Sequence, residues 1–111
     1  MLEIKGGTMR LAFKMKVNKD KFLEYEKRHQ CVYKGLEKEI KLAGAKNYSI
    51  FLDEETGFLF GVVEVENIEK WEKIAEKNIC KEWWEYMKDI METNSDNSPK
   101  SILLKEVYHL D

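Results

Sequence analysis

Hydrophobic residues along this chain switch between a period of two and a period near 3.6, and the order of the switches restricts the fold more than any other feature. From Arg10 to Val17, the apolar Leu11, Phe13, Met15 and Val17 alternate with Arg10, Ala12, Lys14 and Lys16. That is the pattern of a half-buried strand, whose successive side chains point to opposite faces. Asn18 then offers a capping side chain, and Phe22, Tyr25, His29, Val32, Tyr33, Leu36 and Ile40 recur at three- and four-residue spacings as far as Gly44. The spacing predicts one long helix stopped by a glycine. From Ala45 to Asp53, Tyr48, Ile50 and Leu52 alternate with Asn47, Ser49 and Phe51; Asp53 to Gly57 reads as a turn, and Phe58 to Val65 is more uniformly apolar. A hairpin follows, its second strand central in a sheet and buried on both faces. Asn67 can cap a second helical region, with Ile68, Trp71, Ile74 and Ala75 on one stripe. After a break near Asn78 the stripe resumes through Ile79, Cys80, Trp83, Trp84, Met87, Ile90 and Met91. Thr93 to Pro99 is polar, holds the only proline and predicts a loop. The last strand is expected from about Ser101 to Leu110, with Ile102, Leu104, Tyr108 and Leu110 of one parity.

Strand, helix, strand, strand, helix, strand is the split βαβ order of an α+β, ferredoxin-like βαββαβ fold with one antiparallel sheet. At 111 residues the chain is long enough for one core. Residues 1–8, with Gly6-Gly7 and no period, are expected to be a disordered or frayed lead-in to a single domain spanning 9–111. Helices on one face leave the other needing cover, because strands one to three carry apolar side chains of both parities. The expected assembly is a homodimer packed through the sheet faces, a dimeric α+β barrel.

Nineteen basic residues nearly cancel 21 acidic ones, and a net charge of −2 makes no electrostatic case for a polyanion, so nucleic acid is not an expected partner. No apolar run approaches the roughly 18–20 residues of a membrane span, and the N-terminus lacks a signal-peptide profile. The expected location is cytoplasmic, with no membrane partner. Cys31 and Cys80 stand far apart with no Cys-x-x-Cys or Cys/His cluster, which argues against zinc and against a redox pair; both are read as small buried hydrophobes.

Polar tips on apolar stripes are the candidate chemistry. Tyr25 and His29 stand four apart on the stripe of the first helix, so their tips point inward. Spacing alone favours a core histidine satisfied by a backbone carbonyl over a catalytic one. The functional alternative is a pocket between helix and sheet, in which an imidazole of ordinary pKa about 6.5 moves protons at neutral pH. Trp83 and Trp84 are adjacent, about 100° apart on a helix. They make either a wide core stripe or one core indole and one pocket wall, an aromatic face being a platform for the apolar face of a sugar. Tyr48 reaches the same space if its side of the sheet faces the first helix.

These residues fall in five stretches: Tyr25-x-x-Arg28-His29; Gly44-Ala45-x-Asn47-Tyr48-x-Ile50-x-Leu52-Asp53; Val63-Glu64-x-Glu66 with Trp71; Cys80-x-x-Trp83-Trp84-x-Tyr86-Met87-x-Asp89-x-Met91; and Asn94-x-Asp96-Asn97-Ser98-Pro99. In this order and at these separations, from Met9 to Leu110, the chain resembles the L-rhamnose mutarotase family. The resemblance implies a dimeric ferredoxin-like α+β domain that interconverts the α and β anomers of L-rhamnose, an isomerase without metal or organic cofactor. It implies that His29 is the catalytic acid and that Tyr25, Tyr48, Trp83 and Trp84 bind the sugar. The chain departs from the family at Cys31 and Tyr33, where a proline and a tryptophan are usual, which alters the wall formed by that turn and with it the preference among sugars. His109 stands where a tyrosine is usual; it is a rival proton donor, read as an exposed or interface residue. Two other readings stay open: a cofactorless small monooxygenase of the dimeric α+β barrel type, and a non-catalytic sugar-binding or dimerisation module.

Overall fold

The computed structural model describes residues 8–111. Its strands, β1 (Met9–Lys16), β2 (Ala45–Leu52), β3 (Phe58–Val65) and β4 (Ile102–Leu104), form one antiparallel sheet ordered β2-β3-β1-β4. Four helices, α1 (Phe22–His29), α2 (Lys34–Leu42), α3 (Ile68–Lys73) and α4 (Asn78–Met87), pack on one face. The architecture is the expected α+β, ferredoxin-like one. Residues 1–7 lie outside the described residues, so the expected lead-in is described only at Thr8, which lies in a β-bridge.

Alternation decides which face is core. Leu11 and Met15 from β1, Val17 just after it, Leu59, Val63 and Val65 from β3, and Tyr25, Leu36, Trp83 and Met87 from the helices are all buried. The neighbours of opposite parity, Arg10, Lys14, Lys16, Phe60 and Val62, stand on the open face, where Lys14 and Lys16 lie over the Phe58 ring. β3 is central as expected, but within one chain only one of its faces is fully buried.

The helical stripe between Asn18 and Gly44 is two helices rather than one. A 3₁₀ turn (Lys19–Lys21) precedes α1, and the Asn18 side chain makes no capping bond. After His29 the last turn tightens, Gln30 N–H donating to Lys27 O and Cys31 N–H to Arg28 O, and α2 starts afresh on the Tyr33 carbonyl. Apolar spacing reports which face is buried, and two short helices on the same face keep the same spacing as one long one. The break leaves Cys31 exposed, contrary to its reading as a buried hydrophobe; Cys80 is buried as expected. Gly44 does end α2, at φ +80°, and the Asn67 side chain caps α3 by accepting from Lys70 N–H at 3.0 Å. The final strand is also shorter than its pattern. Only Ile102–Leu104 pair with Ala12–Lys14, and residues 105–110 continue unpaired, because alternation shows that a segment can be a strand but a ladder needs a neighbour's backbone.

A bulge in β2 aims the site. Pairing with β3 slips by one residue between Lys46 and Ser49, and Asn47 takes φ +51° there. Ala45 is buried before the slip, whereas Tyr48 after it joins Ile50 and Leu52 on the helix side, meeting Phe13 and Trp71. Phe13 itself lies across Gly61, its β3 partner, and a β-carbon at Gly61 would come within 2.5 Å of the ring. Phe13 has little room to yield, with Tyr48 at 6.0 Å and Trp71 at 6.4 Å between ring centroids. Replacing a strand glycine by alanine gains about 0.5–1 kcal/mol of backbone entropy, which overpacking at about 1–3 kcal/mol outweighs. Gly61→Ala should therefore lower the denaturant midpoint, and adding Phe13→Ala should shrink the penalty of the glycine substitution. An unchanged or raised midpoint for Gly61→Ala would show that Phe13 can move aside.

Candidate active site

The last turn of α1 brings Tyr25 and His29 together because residues four apart share a helix face. Their rings stack with centroids 4.2 Å apart and planes 25° from parallel. On its other contact the imidazole meets Trp83 of α4 edge to face, 5.4 Å away at 88°. The His29 Nδ1 lies 2.9 Å from the Tyr25 carbonyl oxygen. A carbonyl only accepts, so Nδ1 carries the proton, and in the neutral ring Nε2 is left with its lone pair. Burial pulls the His29 pKa below its ordinary value, the bond to the Tyr25 carbonyl offsetting part of that effect. The resting imidazole at neutral pH is accordingly neutral, with Nε2 as an acceptor.

The phenols are shifted the opposite way. Burial first, and then the neighbouring Tyr48, raise the pKa of Tyr25; burial first, and then Cys80, raise that of Tyr48. Although Tyr48 is 37% exposed as a residue, its hydroxyl end is enclosed enough for desolvation to dominate. Both phenols stay protonated across the physiological range and can donate hydrogen bonds. The Cys80 thiol beside them is pushed up to about 11 by burial, so it too stays protonated. Among the described residues, no hydrogen bond is made by His29 Nε2 or by the hydroxyl of Tyr25 or Tyr48.

Of the residues expected from sequence, Tyr25, His29 and Trp83 form one cluster; Tyr48, on β2, packs instead against Phe13 and Trp71 and is near enough to raise the pKa of Tyr25. Trp84 is half-buried at the margin of the main core, with no ring contact to the other four among the described residues. His109 lies on the C-terminal segment against Arg10 and Asp111, away from the helix side of the sheet. Three further aromatic residues pack here; the sequence reading leaves Trp71 and Tyr86 out of the site and gives Tyr33 only as part of the wall formed by its turn. Trp71 packs edge-on to Tyr48 at 5.5 Å; Tyr33 packs edge-on to Trp83 at 5.0 Å; and Tyr86 lies 5.7 Å from Trp83. The signal was available for Tyr86, three residues after Trp83 and thus on its helical face, and for Trp71, three after Ile68.

A neutral imidazole with a free lone pair, two protonated phenols and indole walls can move protons on an uncharged polyol. Among the described residues no group of three or more His, Cys, Asp or Glu side chains could hold a metal ion, and no helix is long and apolar enough to cross a membrane.

Known proteins resemble this chain in both sequence and fold. A crystal structure of L-rhamnose mutarotase from Formosa agariphila superposes with a TM-score of 0.86 at 44% identity, covering 92% of this chain and 98% of that one. A putative antibiotic biosynthesis monooxygenase from Nitrosomonas europaea superposes with a TM-score of 0.63 at 13% identity, covering 96% and 97%, a likeness of fold alone. The L-rhamnose mutarotase of Lachnoclostridium phytofermentans is 53% identical over 103 residues, 93% of this chain and 99% of the relative. That of Bacillus subtilis is 50% identical over 97 residues, 87% and 93% of the two chains. With residues 10–110 matching the L-rhamnose mutarotase family model, and these relatives aligned over nearly their full length, the chain belongs to the L-rhamnose mutarotase family.

Proposed function

We propose that this protein interconverts the α and β anomers of L-rhamnose, with His29 as the proton carrier, in a single domain spanning 9–111. The observation that carries the reading is the neutral imidazole of His29, fixed through Nδ1 by the Tyr25 carbonyl at 2.9 Å, with Nε2 left for substrate. The anomeric oxygen O1 and the ring oxygen O5 are bonded to the same carbon, so one nitrogen can serve both. Nε2 takes the O1 proton; the imidazolium so formed gives it to O5; the C1–O5 bond breaks and C1=O1 forms. Rotation about C1–C2 presents the other face of the aldehyde, and the same transfers in reverse close the ring. His29 is thus the acid toward O5, as the family resemblance implies, but it starts the cycle as a base. General acid–base help of this kind is worth roughly 10²–10⁴ in rate.

The phenols of Tyr25 and Tyr48 orient the sugar hydroxyls as donors. The Trp83 face takes the apolar side of the ring and the 6-deoxy methyl, whose recognition contributes about 1–3 kcal/mol of discrimination. The assignment of Trp84 to this wall rests on the family resemblance and its place beside Trp83. We also propose a homodimer formed through the open sheet faces. Phe51 and Ile102 are 62% and 59% exposed there, beside Phe60, Val62 and Ala12, an apolar surface of a kind that soluble monomers rarely leave bare. A cytoplasmic location is part of the proposal, and the unpaired thiols of Cys31 and Cys80 suit a reducing compartment.

Saturation-transfer NMR on equilibrated L-rhamnose should show anomeric exchange accelerated by the protein, and His29→Ala should return it close to the buffer rate while circular dichroism stays unchanged. Exchange by the variant at the parent rate would remove His29 from the mechanism. Tyr25→Phe and Trp84→Ala should instead raise the sugar concentration for half-maximal rate. Because the carrier starts neutral and its pKa lies below the ordinary value, the enzyme-dependent rate should be level through neutral pH. It should fall only as acid protonates Nε2, below about pH 6.5; a rate that rises there would mean that the imidazolium is the starting form. Sedimentation should give twice the chain mass, and Phe51→Glu with Ile102→Lys should give the monomer; a monomeric parent would rule out the dimer.

A further inference from the structure

Arg28, the residue before His29, makes four hydrogen bonds and one ring contact, and the proton transfers use none of them. Nε donates to Glu24 Oε2 at 2.8 Å, one turn back on α1. Nη1 donates to the Tyr86 carbonyl oxygen at 2.7 Å and to Asp89 Oδ1 at 2.8 Å, and Nη2 to Asp89 Oδ2 at 3.2 Å. The guanidinium carbon stands 4.5 Å from the centre of the Tyr86 ring. Tyr86 is in the last turn of α4, where carbonyls have no partner within the helix, and Asp89 follows just beyond its end. One side chain thus spans from the end of α1 to the end of α4.

We propose that Arg28 is a positioning residue, whose fork locks the C-terminus of α1 to that of α4 and thereby sets the His29 imidazole against Trp83. The ring it covers continues the chain of contacts: Tyr86 stacks with Tyr33 at 5.9 Å and lies 5.7 Å from Trp83, which in turn meets His29 at 5.4 Å. The Arg28 side chain is 11% exposed, while that of Asp89 is 63% exposed. An ion pair with so solvated a partner adds little stability, but a planar bidentate fork fixes direction as well as distance. Lysine would keep the charge and lose the fork, the second donor direction and the flat face on Tyr86. The inference rests on His29 being the proton carrier.

Arg28→Lys and Arg28→Gln, made in the full chain, test it through exchange kinetics, thermal midpoint and the NMR titration of His29, assigned by comparison with His109→Gln. Arg28→Lys should lower kcat by roughly 10- to 10²-fold with a smaller change in KM. It should also move the His29 titration toward the ordinary histidine value as the ring loses its enclosure. The charge is unchanged in that variant, so the shift reports position. Arg28→Gln should do at least as much, and Asp89→Asn should act in the same direction to a smaller extent. If both Arg28 variants lower only the thermal midpoint, leaving kcat, KM and the His29 titration at parent values, Arg28 is structural and the proposal is overturned. Should the parent chain itself fail to exchange the anomers, the proposed reaction falls, while the His29 titration in Arg28→Lys still decides whether Arg28 positions the ring.

Discussion

The site turns on the hydrogen bond from His29 Nδ1 to the carbonyl of Tyr25, one turn earlier on α1. It chooses the tautomer, and so leaves Nε2 with the lone pair. It occurs because α1 ends at His29, where the last turn tightens and the chain leaves the helix. Stacking on Tyr25 and the edge of Trp83 then enclose the ring, and enclosure lowers its pKa. The phenols beside it move the other way for the same reason, since burial disfavours the charged form of each group. One desolvated space therefore yields a neutral acceptor and two neutral donors, a set suited to a sugar that carries no charge.

The sheet's part is to aim rather than to react. Without the slip between Lys46 and Ser49, Tyr48 would keep the parity of Lys46 and face away from the helices. With it, Tyr48 lies on the helix side and is braced by Phe13 and Trp71. Gly61 is what lets Phe13 lie flat across β3 to provide that brace. The same scaffold appears in a monooxygenase-named protein at 13% identity, so the sheet and helices alone do not select a reaction.

Much was legible in the sequence, and for definite reasons. Period-two runs identify β1 and β2, a more uniformly apolar run identifies β3, Gly44 and Asn67 mark helix ends by their local chemistry, and Asp53 to Gly57 is the hairpin turn. The motif Tyr25-x-x-Arg28-His29 placed two polar tips on one helix face because that geometry depends only on helical spacing. The single long helix and the ten-residue last strand were misread because both properties are non-local. Continuity of a helix depends on which carbonyls are accepted at the break after His29, and a ladder for residues 105–110 depends on a neighbouring backbone.

The sequence by itself determined the order of elements, the faces they bury, the family and the placing of Tyr25 and His29 on one helix face, since all of these follow from spacing and local side-chain chemistry. Only the tertiary structure decided the tautomer and charge of His29, the turn of Tyr48 to the helix side of the sheet, the packing of Tyr33, Trp71 and Tyr86 against Trp83 and Tyr48, and the reach of Arg28 to the end of α4. Each of these depends on groups far apart in the chain meeting in space, and on how much water their meeting excludes.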